Sequence, residues 1–325
     1  MERRKVIIDC DGGTDDALAL VILIAAHNID KIEIIGITCV NGNTNLDNVV
    51  KNVFRTLQIC NASSIPVFKG AHSPFLATEN AKRTAMERFH GTDGFGDIYT
   101  DEPDISRLQT EHAVDALHGL TANNPGEVTV ICLGPLTNIA LTIKMFPKFL
   151  EFVKDFYIMG GNHTAQGNIT AQAEFNFYAD PESVHMVLSS NDKPLWLIPW
   201  ETCLRSNISH KWRHEVFSQI DTPVVKMMND IEHKVYSQSK KVKPFYSPCD
   251  AFVAGVFLRP DMAKTVVEYH ADIELNGMLT RGQVVLDHLK SNKPNVYLIT
   301  DIDFELFQEL LIFAANPLMY KKHII

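Results

Sequence analysis

Four aspartates crowd into eight positions of DCDGGTDDALAL, residues 9–20: Asp9, Asp11, Asp15 and Asp16. The stretch follows the apolar run KVII, so the charges fall where a buried strand gives way to a helix. Close carboxylates repel one another and are costly to desolvate, so the cluster needs compensation, either a bound cation or a proton held between acids. Taken singly, Asp15 or Asp16 reads as the acidic first turn of a helix, where a carboxylate meets the positive end of the dipole. Capping does not account for the whole set. Gly12 and Gly13 let the backbone turn sharply and bring Asp11 and Asp16 toward one point, a convergence that a hard divalent cation held by oxygen atoms would explain.

The elements that must position these groups alternate along the chain. Apolar, β-branched runs predict strands over residues 5–10, 32–38, 66–69, 127–133, 152–159 and 194–199, with helices over 15–27, 46–60, 110–121, 136–145 and 181–189. This order predicts an α/β fold, a doubly wound, mostly parallel sheet with helices on both faces in the Rossmann manner. Such sheets bind ligands beyond the carboxyl ends of their strands. There the aspartate stretch is joined by three more polar loops, VNGN at 40–43, LGPLTN at 133–138 and MGGN at 159–162. Two segments break the rhythm. Residues 70–107, containing FHGTDGFGD, are long for a connection and are expected to form a functional loop or lid. Residues 206–247 read as a helical insertion, followed by sheet-like runs at 283–286 and 296–299. With no linker or repeat, residues 1–325 are expected to form one domain.

Composition excludes several classes of partner. A chain of 325 residues, 46% hydrophobic and 21% charged, can bury a large core. A net charge of -9, with no basic cluster longer than Lys240, Lys241 and Lys243, argues against nucleic acid or an anionic membrane as partner. The six cysteines, Cys10, Cys39, Cys60, Cys132, Cys203 and Cys249, lack C-x-x-C spacing and fit reduced thiols in the cytoplasm. The amino terminus lacks a signal peptide's apolar core, and no apolar run reaches membrane-spanning length. Small-molecule chemistry is the remaining expectation.

Known aspartate motifs can be compared directly. DCDGGT is similar to the D-x-D-G-T of haloacid-dehalogenase-type phosphotransferases, but the extra glycine spoils the register, and that family has no need of Asp15 and Asp16. An EF-hand fails because it wants open loop sequence, not a strand and a buried helix. The D-x-D-x-G-x-D-D-A arrangement at 9–17 resembles the opening signature of the nucleoside hydrolase family, inosine–uridine-preferring type, and the likeness runs over nearly the whole chain. GNITAQAEFN at 167–176 resembles that family's ribose-binding block, and SPCDAFVAG its late metal-binding segment.

The resemblance implies calcium-dependent hydrolysis of a ribonucleoside to ribose and free nucleobase. It implies Ca2+ held by Asp11, Asp16, Asp250 and the carbonyl of Leu133, with Asp11 also the general base. The substrate would be held by Asp15, Asn43, Met159, Asn168, Glu174, Asn176 and Asp250, and the assembly would be a homodimer or homotetramer. Each residue also has a plainer reading. Asn168 and Asn176 suit a turn, Leu133 looks like core, and Glu174 beside Phe175 and Phe177 is either a solvated strand face or a ligand for hydroxyls. His90 and His163 are promoted no further than substrate contacts. Other family branches carry histidine or tryptophan where this chain has Cys249, and a thiol is a poor substitute for either in activating a leaving base. His233, Tyr236 and Tyr246 are the nearby candidates for base contact. A ribonucleoside-binding regulator that keeps the site without turnover is the alternative.

Overall fold

The computed structural model describes residues 3–76, 89–238 and 244–319. Eleven strands are assigned among them: β1 (Arg4–Cys10), β2 (Ile32–Cys39), β3 (Val67–Lys69), β4 (Leu108–His112), β5 (Val128–Cys132), β6 (Val153–Met159), β7 (Leu195–Ile198), β8 (Ala263–Tyr269), β9 (Ala271–Ile273), β10 (Val284–Leu286) and β11 (Val296–Ile302). The helices are α1 (Thr14–Asn28), α2 (Leu46–Ile59), α3 (Ala113–Ala122), α4 (Thr137–Met145), α5 (Phe149–Phe152), α6 (Phe175–Ala179), α7 (Pro181–Ser190), α8 (Trp200–Leu204), α9 (His210–Glu215), α10 (Pro223–Gln238), α11 (Cys249–Leu258) and α12 (Phe304–Ala315). Nine strands form one sheet in the order β4-β3-β2-β1-β5-β6-β7-β11-β8, and β9 and β10 form a separate antiparallel pair. Within the large sheet every pairing is parallel except that of β11 with β8, which closes one edge.

The expected doubly wound sheet is therefore present, and alternation along β1 shows how it is covered. Val6 and Ile8 face a core built with α1, α2, α11 and α12, while Ile7 faces a second core with α3, α4 and α7. Helix α1 is the centre of the first core. Every residue from Asp16 to Ala26 is buried, because α2, α10, α11 and α12 surround the helix where the sheet does not. A helix apolar on all sides needs such a place.

The structure corrects the sequence reading at one boundary and adds detail in two further places. Residues 108–112 of the region expected to open a helix at 110 form β4, paired with β3, and α3 starts only at Ala113, after His112 accepts a bond from Val114 N at 3.3 Å. The run at 283–286 supplies β10 of the small hairpin and does not rejoin the main sheet. The expected insertion at 206–247 carries α9 and α10, but α10 packs on α1 and α2 and so forms part of the wall around the central helix. Residues 77–88 of the expected lid, and Lys240, Lys241 and Lys243, lie outside the described residues. No described helix is long and apolar enough to cross a membrane.

Candidate active site

The carboxyl ends of β1, β2, β5 and β6 bring the polar loops together as expected for a parallel sheet. Asp11 leaves β1 fully buried, and both of its oxygens are engaged by one residue from the loop after β2: Asn43 N donates to Oδ2 at 2.7 Å and Asn43 Nδ2 to Oδ1 at 3.0 Å. Asn43 also reaches Asp16 Oδ2 at 3.3 Å. This grip depends on Gly42, since a Cβ there would lie 1.9 Å from Asp11 Oδ2. Gly12 takes the left-handed φ of +72° that lets the chain turn from β1 into α1. In α1, Asp16 accepts from Gly13 N at 2.8 Å and Asp11 N at 3.1 Å, so it does cap the helix while facing the site.

The other half of the acidic centre arrives from far along the chain. Asp250, in the first turn of α11, presents an oxygen that lies with one from Asp15 and one from Asp16 within 4.8 Å of one another. This group of three shares Asp16 and Asp250 with the expected metal set, and Asp15 stands in it where Asp11 was expected. Leu133 offers its carbonyl at the end of β5, where it accepts from Asn176 Nδ2 at 2.7 Å. The same amide reaches the Met159 carbonyl at 3.2 Å and so ties the ends of β5 and β6 together.

Burial makes Asp11, Asp16 and Asp250 resist ionisation. Asp250 is pushed well above the usual range by burial and then by the charges of Asp15, Asp16 and Asp11. Asp11 is raised by burial and then by Asp16, and Asp16 is pushed up to about 6 by burial and then by Asp15. Desolvated, mutually repelling oxygen donors, with Asp15 Oδ1 buried and lacking a hydrogen-bond partner, are the surroundings that a hard divalent cation fits. No sulfur or imidazole joins the group of three. Asp9, the nucleophile position of the phosphotransferase comparison, is instead sealed below the site. Its Oδ1 accepts from Thr38 Oγ1 at 2.5 Å and Asn138 Nδ2 at 2.7 Å.

Glu174 has a role that the sequence did not reveal. It is the N-cap of α6, accepting from Asn176 N at 2.8 Å and Phe177 N at 3.1 Å, and it also holds Gly161 N at 2.7 Å. Phe175 and Phe177 lie in that helix, so the strand reading of this stretch is set aside. Burial pushes Glu174 up to about 7 against the pull of those three N–H groups. Asn168 sits in the preceding loop with Oδ1 buried and without a hydrogen-bond partner. His90 also enters the site: its Nδ1 accepts from Thr14 N at 3.1 Å, which puts the proton of the neutral ring on Nε2, 3.5 Å from Asp15 Oδ1.

The candidates for base contact separate by burial. His233 is exposed, and Tyr246 is buried with its hydroxyl donating to Glu232 at 2.7 Å. Tyr236 packs edge-on against Phe89, and burial, then the charges of Glu232, Asp15 and Cys249, hold its hydroxyl well above the usual range.

A model of the inosine-uridine preferring nucleoside hydrolase family matches residues 6–309. The chain belongs to that family. It is thus a nucleosidase, which hydrolyses the N-glycosidic bond of ribonucleosides. Among similar nucleoside hydrolases, the pyrimidine-specific ribonucleoside hydrolase RihA of Salmonella paratyphi B is 31% identical over 323 residues, covering 97% of this chain and 98% of that protein. An uncharacterized protein of Schizosaccharomyces pombe is 34% identical over 315 residues, 95% of this chain and 97% of its own. The solved inosine-guanosine nucleoside hydrolase superposes with a TM-score of 0.87 at 25% identity, covering 97% of this chain and 99% of that one. A plant nucleoside hydrolase has the same fold, with a TM-score of 0.86 at 23% identity, covering 96% and 98%.

Proposed function

We propose that this nucleoside hydrolase depends on calcium and that Asp11 takes the proton from the attacking water. The observation that carries this reading is the convergence of Asp15, Asp16 and Asp250 beside an Asp11 whose orientation is held at both oxygens by Asn43. Bond breaking places positive charge on the ribose ring and negative charge on the departing base, so the carboxylates around the ribose stabilise the charge that develops. Calcium, when bound by Asp16, Asp250, Asp11 or Asp15 and the Leu133 carbonyl, supplies positive charge that acidifies water and fixes ribose hydroxyls. Asp11 is the proton acceptor. Asn168 and Glu174 hold the 5′ hydroxyl, and Asp15, Asn43, Met159, Asn176 and Asp250 the rest of the substrate.

The test is release of reducing sugar from inosine, adenosine, guanosine, uridine and cytidine, with and without a calcium chelator, since the relatives include enzymes named for pyrimidines and for purines. Chelation abolishes release on this reading. Nucleoside binding without any ribose release would overturn it in favour of a regulatory protein. Because burial raises Asp11, Asp16 and Asp250, ion binding must compete with protons on them, and calcium affinity should strengthen as pH rises through about 6, the region to which Asp16 is pushed. Calorimetry in buffers of different ionisation heat reads the protons released, and affinity constant from about pH 5 to 8 would contradict it.

Cys249 is buried, with Sγ 3.7 Å from the Ser247 carbonyl, and acts as a small packed side chain. Cys249→Ser is therefore expected to lower kcat by no more than roughly tenfold. A loss on the order of a thousandfold on inosine, with nitrophenyl riboside turnover intact, would instead make it the leaving-group acid. The resemblance also supports a cytoplasmic homodimer or homotetramer, whose size sedimentation velocity reads directly.

A further inference from the structure

The loop between β6 and α6 carries Asn168 and ends at Glu174, yet among its described contacts it lies on no helix or strand of its own between residues 160 and 174. A segment like this needs fixed points if a side chain on it is to aim at a ligand. One is internal. Asn162 donates through Nδ2 to the carbonyls of Gln172 at 2.6 Å and Gln166 at 3.2 Å, and its Oδ1 accepts from Val284 N at 3.0 Å.

The other comes from outside the loop. Glu201, on the short helix α8, turns its carboxylate onto residues 163–166. Oε2 accepts from His163 N at 2.9 Å and from His163 Nδ1 at 3.1 Å. Oε1 accepts from Thr164 N at 2.7 Å, Thr164 Oγ1 at 2.9 Å and Gln166 N at 3.2 Å. Five donors thus meet one buried carboxylate. Burial alone would raise this acid, but the bonds from His163 and Thr164 outweigh it and bring Glu201 down to about 2, so the charge is a fixed part of the loop's structure. Helix α8 is itself anchored, with Thr202 Oγ1 donating to the Ile299 carbonyl at 2.7 Å, and Ser247 Oγ, from the strap that leads to Asp250, donating to the Cys203 carbonyl at 2.6 Å.

We propose that Glu201 is a positioning residue for recognition of the ribose 5′ hydroxyl: by clamping residues 163–166 it sets the direction of Asn168, two residues beyond the clamp. Glu201 spends its oxygens on the loop and acts through Asn168. This rests on the assignment of Asn168 and Glu174 to the 5′ hydroxyl. Glutamine at 201 would keep the size and lose the charge, and its NH2 group would face N–H donors at one end of the clamp. The Asn168 contact would then be lost or misdirected, while Asn43 and the acidic centre, held by other elements, would stay in place.

The test compares uridine and inosine with their 5′-deoxy analogues on wild type, Glu201→Gln, Glu201→Asp and Thr164→Val. Wild type should prefer the 5′-hydroxylated substrates. Glu201→Gln is expected to lower kcat/KM on these by up to roughly tenfold, the scale of the neutral hydrogen bond between Asn168 and the hydroxyl, and to leave the 5′-deoxy analogues within about twofold of wild type. Glu201→Asp, which keeps the charge, should fall between wild type and Glu201→Gln. Thr164→Val, which removes a single donor, should show a smaller loss with the same dependence on the 5′ hydroxyl and guards against misfolding of the Glu201 variants. Equal losses on both substrate classes in Glu201→Gln and Thr164→Val would overturn the proposal and leave Glu201 a purely structural residue. A wild-type enzyme indifferent to the 5′ hydroxyl would overturn it too, and would place the fault in the ribose assignment, because that failure shows before any substitution is made.

Discussion

Asp11→Asn is expected to leave the fold intact and to lower hydrolysis by about 10²–10⁴, the usual cost of removing a general base. The substitution keeps size and shape, and an amide oxygen still coordinates a cation, but an amide cannot take a proton from water. The structure adds a smaller second effect. Asn43 donates to both oxygens of Asp11, so an asparagine at 11 must turn its NH2 toward one of these donors and give up one bond, about 0.5–1.5 kcal/mol. That loss belongs to stability and orientation and is an order of magnitude or more too small, on the rate scale, to mimic loss of the base. Steady-state kcat on uridine and inosine, together with calorimetric substrate affinity, separates the two. Near-normal turnover would remove Asp11 from the proton-accepting role.

The second large effect is expected from Asp250→Ala. Asp250 is the only member of the group of three that does not come from α1, so its loss leaves Asp15 and Asp16, two neighbours on one helix turn, without an opposing donor. Calcium affinity should fall by more than about 100-fold, beyond the cost of disturbing an outer partner of a metal ligand, and nucleoside affinity should fall with it. A ligand that binds only the folded state raises its melting temperature. Calcium should therefore stabilise the wild-type enzyme against heat and have little effect on the variant. Unchanged calcium affinity would move the ion away from α11, whatever happened to the substrate.

How much of this was legible in the chain depended on whether a residue's job leaves a local pattern. The strands at the centre of the sheet were readable because burial on both faces demands long β-branched runs, as in KVIID and VTVIC. The edges were not. β4 is largely exposed and β8 is exposed along most of its length, so neither carries the apolar signal, and LQTEH reads as readily as the start of a helix. At the site, Asp11 and Asp16 stood out because carboxylates at the mouth of a buried element are anomalous, whereas Asp250 was named only through the family resemblance of SPCDAFVAG. Glu201 was not, because WETCL looks like any short amphipathic turn, and nothing local announces that its five donors lie about 40 residues earlier. Glu174 was half legible: its type suggested a ligand, but its work as a helix cap depends on a turn that the flanking phenylalanines disguised as a strand. Asn43 suggests a substrate contact by its type and place, but its bonds to Asp11 and Asp16 join residues about 30 apart and leave no local pattern.

The central helix has a consequence for how the enzyme is made. α1 precedes most of its covering helices in the chain, and its sequence, TDDALALVILIAAHN, is apolar on almost every side beyond its first turn. β2 and α2 can cover part of it early, but α11 and α12, which pack along its length, begin at Cys249 and Phe304. At about 5–20 residues per second, roughly 10–50 s of synthesis separate the helix from the first of these covers. During that interval α1 lacks two of the helices that cover it in the folded protein. The same delay leaves Asp15 and Asp16 without the opposing carboxylate of Asp250 until α11 has been made, more than 200 residues after them.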